Sequence, residues 1–137
     1  MKKTVAVVAV LLMVVLLLPL SGCGGNVSRA NIIDVDSEIY SKSEINDAID
    51  IVLKHFKDYF KGCTLREIQY AGDDSYKEFE EWAEQYDAEQ AIILVSSFDV
   101  DSSGGDGSLN PNTTYDDWKW ILTRKDNQEW TLQTWGY

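Results

Sequence analysis

The chain has 137 residues, with 12 Lys and Arg against 23 Asp and Glu, and a formal net charge of −11. So acidic a composition excludes nucleic acid as a partner class, because phosphate contacts need clustered Lys and Arg. One histidine, two cysteines and no phosphate-cradling glycine loop leave no nucleophile–base set in the pattern.

Met1-Lys2-Lys3 is a short basic start, and Val5 to Leu18 is an unbroken apolar run of fourteen residues. That length suits a signal-peptide core and falls short of the ~20 residues a spanning helix needs. Ser21 and Gly22 then supply the small residues of a peptidase site, and Cys23 follows. Leu20-Ser21-Gly22-Cys23 closely resembles the bacterial lipobox. The resemblance implies that the Cys23 sulfur receives a diacylglyceryl group and that cleavage leaves Cys23 as the first residue. Anchored by its acyl chains, the protein would sit on the extracytoplasmic face of the cell membrane. The expected organisation is a signal peptide over 1–22, a lipidated cysteine with a flexible tether over 23–36, and a single α+β domain over 37–137. Loss of the leader leaves 115 residues and, with Lys2 and Lys3 gone, a net charge of −13. A domain of that size buries roughly two-thirds of its unfolded surface and needs no staple. Lipidation would leave Cys63 unpaired, as a small buried hydrophobe. Without it, Cys23 and Cys63 are candidates for a disulfide. His55 lies on a different element from Cys63, so no Cys–His pair is expected.

Residues 24–36 are polar, glycine-led and aperiodic, and as a flexible tether would reach about 20 Å. Ile32, Ile33 and Val35 mark a short edge strand within them. A helix is predicted over 42–60, opened by a Ser41/Glu44 capping box with Tyr40 stapling onto Ile45. Ile45, Ala48, Ile49, Val52, Leu53, Phe56, Tyr59 and Phe60 form its apolar stripe, and Gly62 ends it. Residues 63–70 are predicted as a strand whose broken alternation marks a bulge. A second helix over 76–86 has its own box, Ser75/Glu78. The continuous apolar run 91–98 fits a strand covered on both faces. After a long loop from Asp101 to Thr113, strands over 115–124 and 128–135 pair as a hairpin across 125–127.

Helix, strand, helix and three strands make an α+β domain. Its expected form is a long N-terminal helix packed on a curved, mainly antiparallel sheet of about four strands, with a second short helix. That order is similar to the cystatin-like or nuclear-transport-factor-like plan. The loop over 96–107 and the Trp118-Lys-Trp120-Ile-Leu122 hairpin are similar to those of small bacterial lipoproteins of unknown function. Neither resemblance brings an activity with it.

Three sets of residues are candidates for a site. Asp99-Val-Asp101-Ser-Ser103-Gly104 matches the start of a calcium loop, in which alternate oxygens converge and glycine permits the turn. Asp106 adds an oxygen, but Asn110 stands where a bidentate Glu belongs. Calcium on Asp99, Asp101, Ser103 and Asp106 is therefore the cofactor that the pattern suggests, and the competing reading is a loop rich in turn formers. Alternation buries Trp118 and Trp120, and places Trp135 and Tyr137 on the other parity as exposed partner-binding residues. Paired carboxylates, Asp99 with Asp101 or Asp116 with Asp117, lack the separation across a cleft that acid–base work requires. The sequence thus favours a non-enzymatic domain that binds an unidentified protein or small ligand. The alternatives are an enzyme with a pocket in the concave sheet, using Glu67 or Asp99 as an inward polar residue, and a calcium-stabilised module.

Overall fold

A computed structural model describes residues 24–137. The expected leader and Cys23 lie outside them. The elements are β1 (Asn31–Ile33), α1 (Lys42–Tyr59), β2 (Cys63–Tyr70), α2 (Tyr76–Gln85), β3 (Gln90–Val100), β4 (Thr114–Arg124) and β5 (Thr131–Gly136). The five strands form one sheet in the order β1-β2-β3-β4-β5, so β3 is central. β1 runs parallel to β2, and every other pairing is antiparallel. The class is α+β. The sheet, however, is mixed and has five strands where about four were expected. The helix is not N-terminal either, since a strand precedes it.

Helix α1 begins where the sequence says it should. Ser41 accepts from the Glu44 amide at 3.1 Å, and Glu44 accepts in return from the Ser41 amide at 3.0 Å. Ile45, Ala48, Ile49, Val52 and Phe56 are buried, each on the stripe expected from helical spacing. Tyr59 is not: it is 70% exposed at the last turn. The α2 box does not form, because Asp73–Ser75 is a short 3-10 turn and Ser75 makes no capping bond.

Residues of β2, β3 and β4 that face α1 build the core, with Leu65, Ile68, Leu94, Phe98, Trp120 and Leu122 fully buried. Burial of such side chains stabilises by about 1.5–3 kcal/mol each. α2 lies against the opposite face, where Lys119 of β4, pointing away from Trp118 and Trp120, reaches Glu78 at 3.0 Å. Inside the core, Trp120 donates through Nε1 to Ser96 Oγ at 2.8 Å, which satisfies both groups. The β2 bulge falls between Leu65 and Glu67, as the broken alternation predicts.

The segment read as a tether is docked on the domain. The Gly25 amide donates to Lys57 O at 3.0 Å, which satisfies one of the orphan carbonyls at the end of α1. Asn26 bridges to Thr64 of β2, donating to Cys63 O and accepting from the Leu65 amide, each at 2.9 Å. Val27, Ala30 and Val35 pack against the core, and β1 follows directly. Glycine is required here, because a Cβ on Gly24 would overlap the Lys57 carbonyl, and one on Gly25 would lie 2.7 Å from the Phe56 ring.

Candidate functional site

A cavity of about 470 Å³ opens at the C-terminal end of α1. Three parts of the chain wall it: the α1 terminus with His55, Tyr59 and Phe60, the 101–113 loop with Leu109, and the sheet ends with Cys63, Trp118 and Trp135. The aromatic rings are interlocked. His55 packs on Trp135 at 4.5 Å and on Tyr59 at 4.8 Å between ring centres, and Phe60 lies 5.2 Å from Trp120. Lys61, Asp106 and Ser108 supply the polar part of the lining. Its size falls in the range of small-molecule sites, about 300–1,000 Å³, and its apolar walls with few polar groups fit that class.

Two nitrogens of the lining residues are shielded from solvent and have no hydrogen-bond partner among the described residues, His55 Nε2 and Trp118 Nε1. An unpaired buried donor costs about 1–3 kcal/mol, so native structures rarely keep one without a use. Burial outweighs the opposing pull of Asp58, lowers the His55 pKa and favours the neutral ring. Trp118 is a donor only, so its complement is an acceptor.

Cys63 sits in the same wall as His55, although the two come from different elements. The free thiol is buried, and that burial, reinforced by Asp101 and Asp106, pushes its pKa up to about 11. A nucleophilic cysteine needs the opposite shift, toward the thiolate. Cys63 Sγ instead points a weak hydrogen bond at Lys61 O, at 3.7 Å.

The calcium-loop residues do not converge. Asp99 is turned toward Arg66 (3.3 Å) and Thr114. Asp101 accepts from the Ser103 amide and Asp106 from the Ser108 amide, each at 2.9 Å within its own turn. Hydrogen bonds from the Ser103 and Ser108 hydroxyls, followed by those from the amides, lower the pKa of both carboxyls. Ser103 Oγ bonds to Asp101 as well, and among the described residues no group of three or more His, Cys, Asp or Glu is placed to hold a metal. Glu67 is exposed, and neither it nor Asp99 lines the cavity. The buried polar side chains of the sheet are already engaged, Ser96 by Trp120, Ser97 by Asp116 and Thr123 by Gln133.

Trp135 is misplaced by simple alternation. A register shift between Ile121 and Leu122 pairs Trp135 with Trp120, so it shares the α1 face and does not lie on the other parity. It remains 41% exposed, and Tyr137 is 78% exposed, 5.4 Å from the Trp118 ring. β5 also begins at Thr131, later than the expected 128. Trp130, outside the strand, is buried against Arg124 (4.1 Å) and donates to Glu44 O at 3.1 Å. No helix among the described residues is long and apolar enough to cross a membrane. Comparison with protein-family models, curated proteins and solved structures finds no match to the chain.

Proposed function

We propose that this protein is a lipid-anchored extracytoplasmic binding domain that takes a small, largely apolar ligand into the aromatic cavity. The cavity carries the reading: about 470 Å³, walled by Phe60, Leu109, Trp118 and Trp135, with two unpartnered nitrogens in its lining residues. The ligand class follows from the walls. Aromatic faces take rings or acyl groups. Binding is favoured over catalysis because the thiol in the wall is held protonated and the carboxylates of the loop are tied into their own turns. The anchor rests on Leu20-Ser21-Gly22-Cys23, and the layout of α1 on the antiparallel β2–β5 supports the cystatin-like or nuclear-transport-factor-like plan.

Two measurements test it. Mass spectrometry of the mature N-terminus is expected to find a diacylglyceryl-modified Cys23, and an unmodified or differently placed start refutes the anchor. Native mass spectrometry of the full chain, extracted from its own envelope in mild detergent, is expected to show a bound small molecule. A folded L109W chain, its cavity filled by the indole, should lack that molecule. An empty wild-type cavity whose tryptophan emission responds to no apolar ligand refutes the binding role.

A further inference from the structure

We infer that the end of the domain formed by the α1 terminus, the 101–113 loop and the Trp135–Tyr137 tail lies on the bilayer, so that the cavity opens at the lipid interface. The inference rests on the lipid-anchor reading of Cys23 and adds an orientation that the anchor alone leaves free.

The first support is where the described chain ends. Gly24 sits against the Lys57 carbonyl and Gly25 is hydrogen-bonded to it, so both lie at the last turn of α1. Cys23 is the next residue, about 3.8 Å farther along the backbone. Tyr59 is in that same turn, and a helix with its side chains is only about 10–12 Å across. The lipid would therefore leave the protein within about one helix diameter of the cavity wall. A free tether of thirteen residues would have allowed about 20 Å in any direction.

The second support is the distribution of exposed aromatic side chains. Of four aromatic side chains exposed among the described residues, Tyr59, Trp135 and Tyr137 (70%, 41% and 78%) surround the cavity end, and Tyr76 (49%) alone lies elsewhere, on α2. Trp and Tyr favour the headgroup layer, where an apolar ring and a polar tip are both accommodated. Charge does not oppose this by much. Lys54, Lys57 and Lys61 stand at the same end as Asp58, Asp101 and Asp106, and Asp116 and Asp117 lie beside Tyr137, so this end is mixed but net acidic and suits an uncharged headgroup layer. Contact is thus made by rings and anchor, and amphipathic elements of this kind sit about 5–10 Å into the boundary. A cavity opening there meets ligands already dissolved in the membrane.

The test uses the full, lipidated chain in vesicles of phosphatidylcholine with or without bromine on the acyl chains, because bromine quenches tryptophan only at close approach. Brominated vesicles are expected to quench part of the emission. W135F should remove most of that quenched part, while W82F, on α2 across the sheet, should leave it intact. A chain shown by mass to carry the lipid, yet unquenched or quenched equally in W135F, overturns the orientation and spares the anchor. An unlipidated Cys23 overturns both.

Discussion

Replacing Gly25 with alanine separates a docked segment from a loose one. In a flexible tether, Gly→Ala restricts the folded and the unfolded chain alike and leaves stability nearly unchanged. In the docked segment, the new methyl group meets the Phe56 ring at 2.7 Å and the Phe56 carbonyl closer still. Phe56 is fully buried and stacked on Phe60 at 4.9 Å, so it has little room to yield. Overpacking of this kind costs about 1–3 kcal/mol. The Gly25–Lys57 bond, worth about 0.5–1.5 kcal/mol net, is strained at the same time. The cost falls first on the docking of residues 24–33, so it is best read locally. Hydrogen exchange of the Asn26 and Leu65 amides, both held across this contact, should accelerate at least about five-fold, the equivalent of 1 kcal/mol. The amides of Ile92 to Leu94 in β3 should move much less. Unchanged exchange at Asn26 and Leu65, or slower exchange, would show that the segment does not pack as described.

Ser96→Ala strands the Trp120 N–H in the core and should lower unfolding free energy by about 1–3 kcal/mol, as measured by urea denaturation. Cys63 should react slowly with disulfide reagents in the native state. With its pKa near 11 against an ordinary 9.0, its thiolate is about 100-fold scarcer at pH 8, and unfolding should release it. His55 has a folded pKa below its unfolded value, so the unfolded chain binds the extra proton first, and stability should fall as pH drops through about 6.5. H55Q should flatten that fall between pH 7 and 5, and an unchanged slope would remove His55 as its cause. Millimolar calcium should leave the melting temperature unchanged while Asp101 and Asp106 hold their serine amides, and a rise would mean that the 101–113 loop rearranges around the ion.

What was legible in the sequence was carried by side-chain chemistry in local runs. Ser41 and Glu44 announce the start of α1, the broken alternation of Leu65, Ile68 and Tyr70 announces the bulge, and the apolar run from Ala91 marks a central strand. Docking of residues 24–30 left no such mark, because backbone amides and two glycines carry it. The face of Trp135 was hidden for a related reason: one register shift in β5 reverses every parity beyond it, and no residue type there demands a bulge. The cavity was hidden by distance along the chain, since His55, Cys63, Leu109 and Trp135 meet only once the long loop folds back on α1. Taken alone, His55, Cys63 and Leu109 give no sign of a shared wall.

The parallel strand β1 also bears on how the chain fares before it is fully folded. Asn31 faces Glu67 and Ile33 faces Gln69, with all of α1 between the partners in sequence, so no local turn brings them together. Three residues joined through so long a closure seat onto β2 only after that strand has formed. Until then the β2 edge is bare, and an unpaired edge is a template for any extended chain nearby. Residues 24–33 therefore cover an otherwise open edge, and loosening them should show as aggregation before any loss of the core.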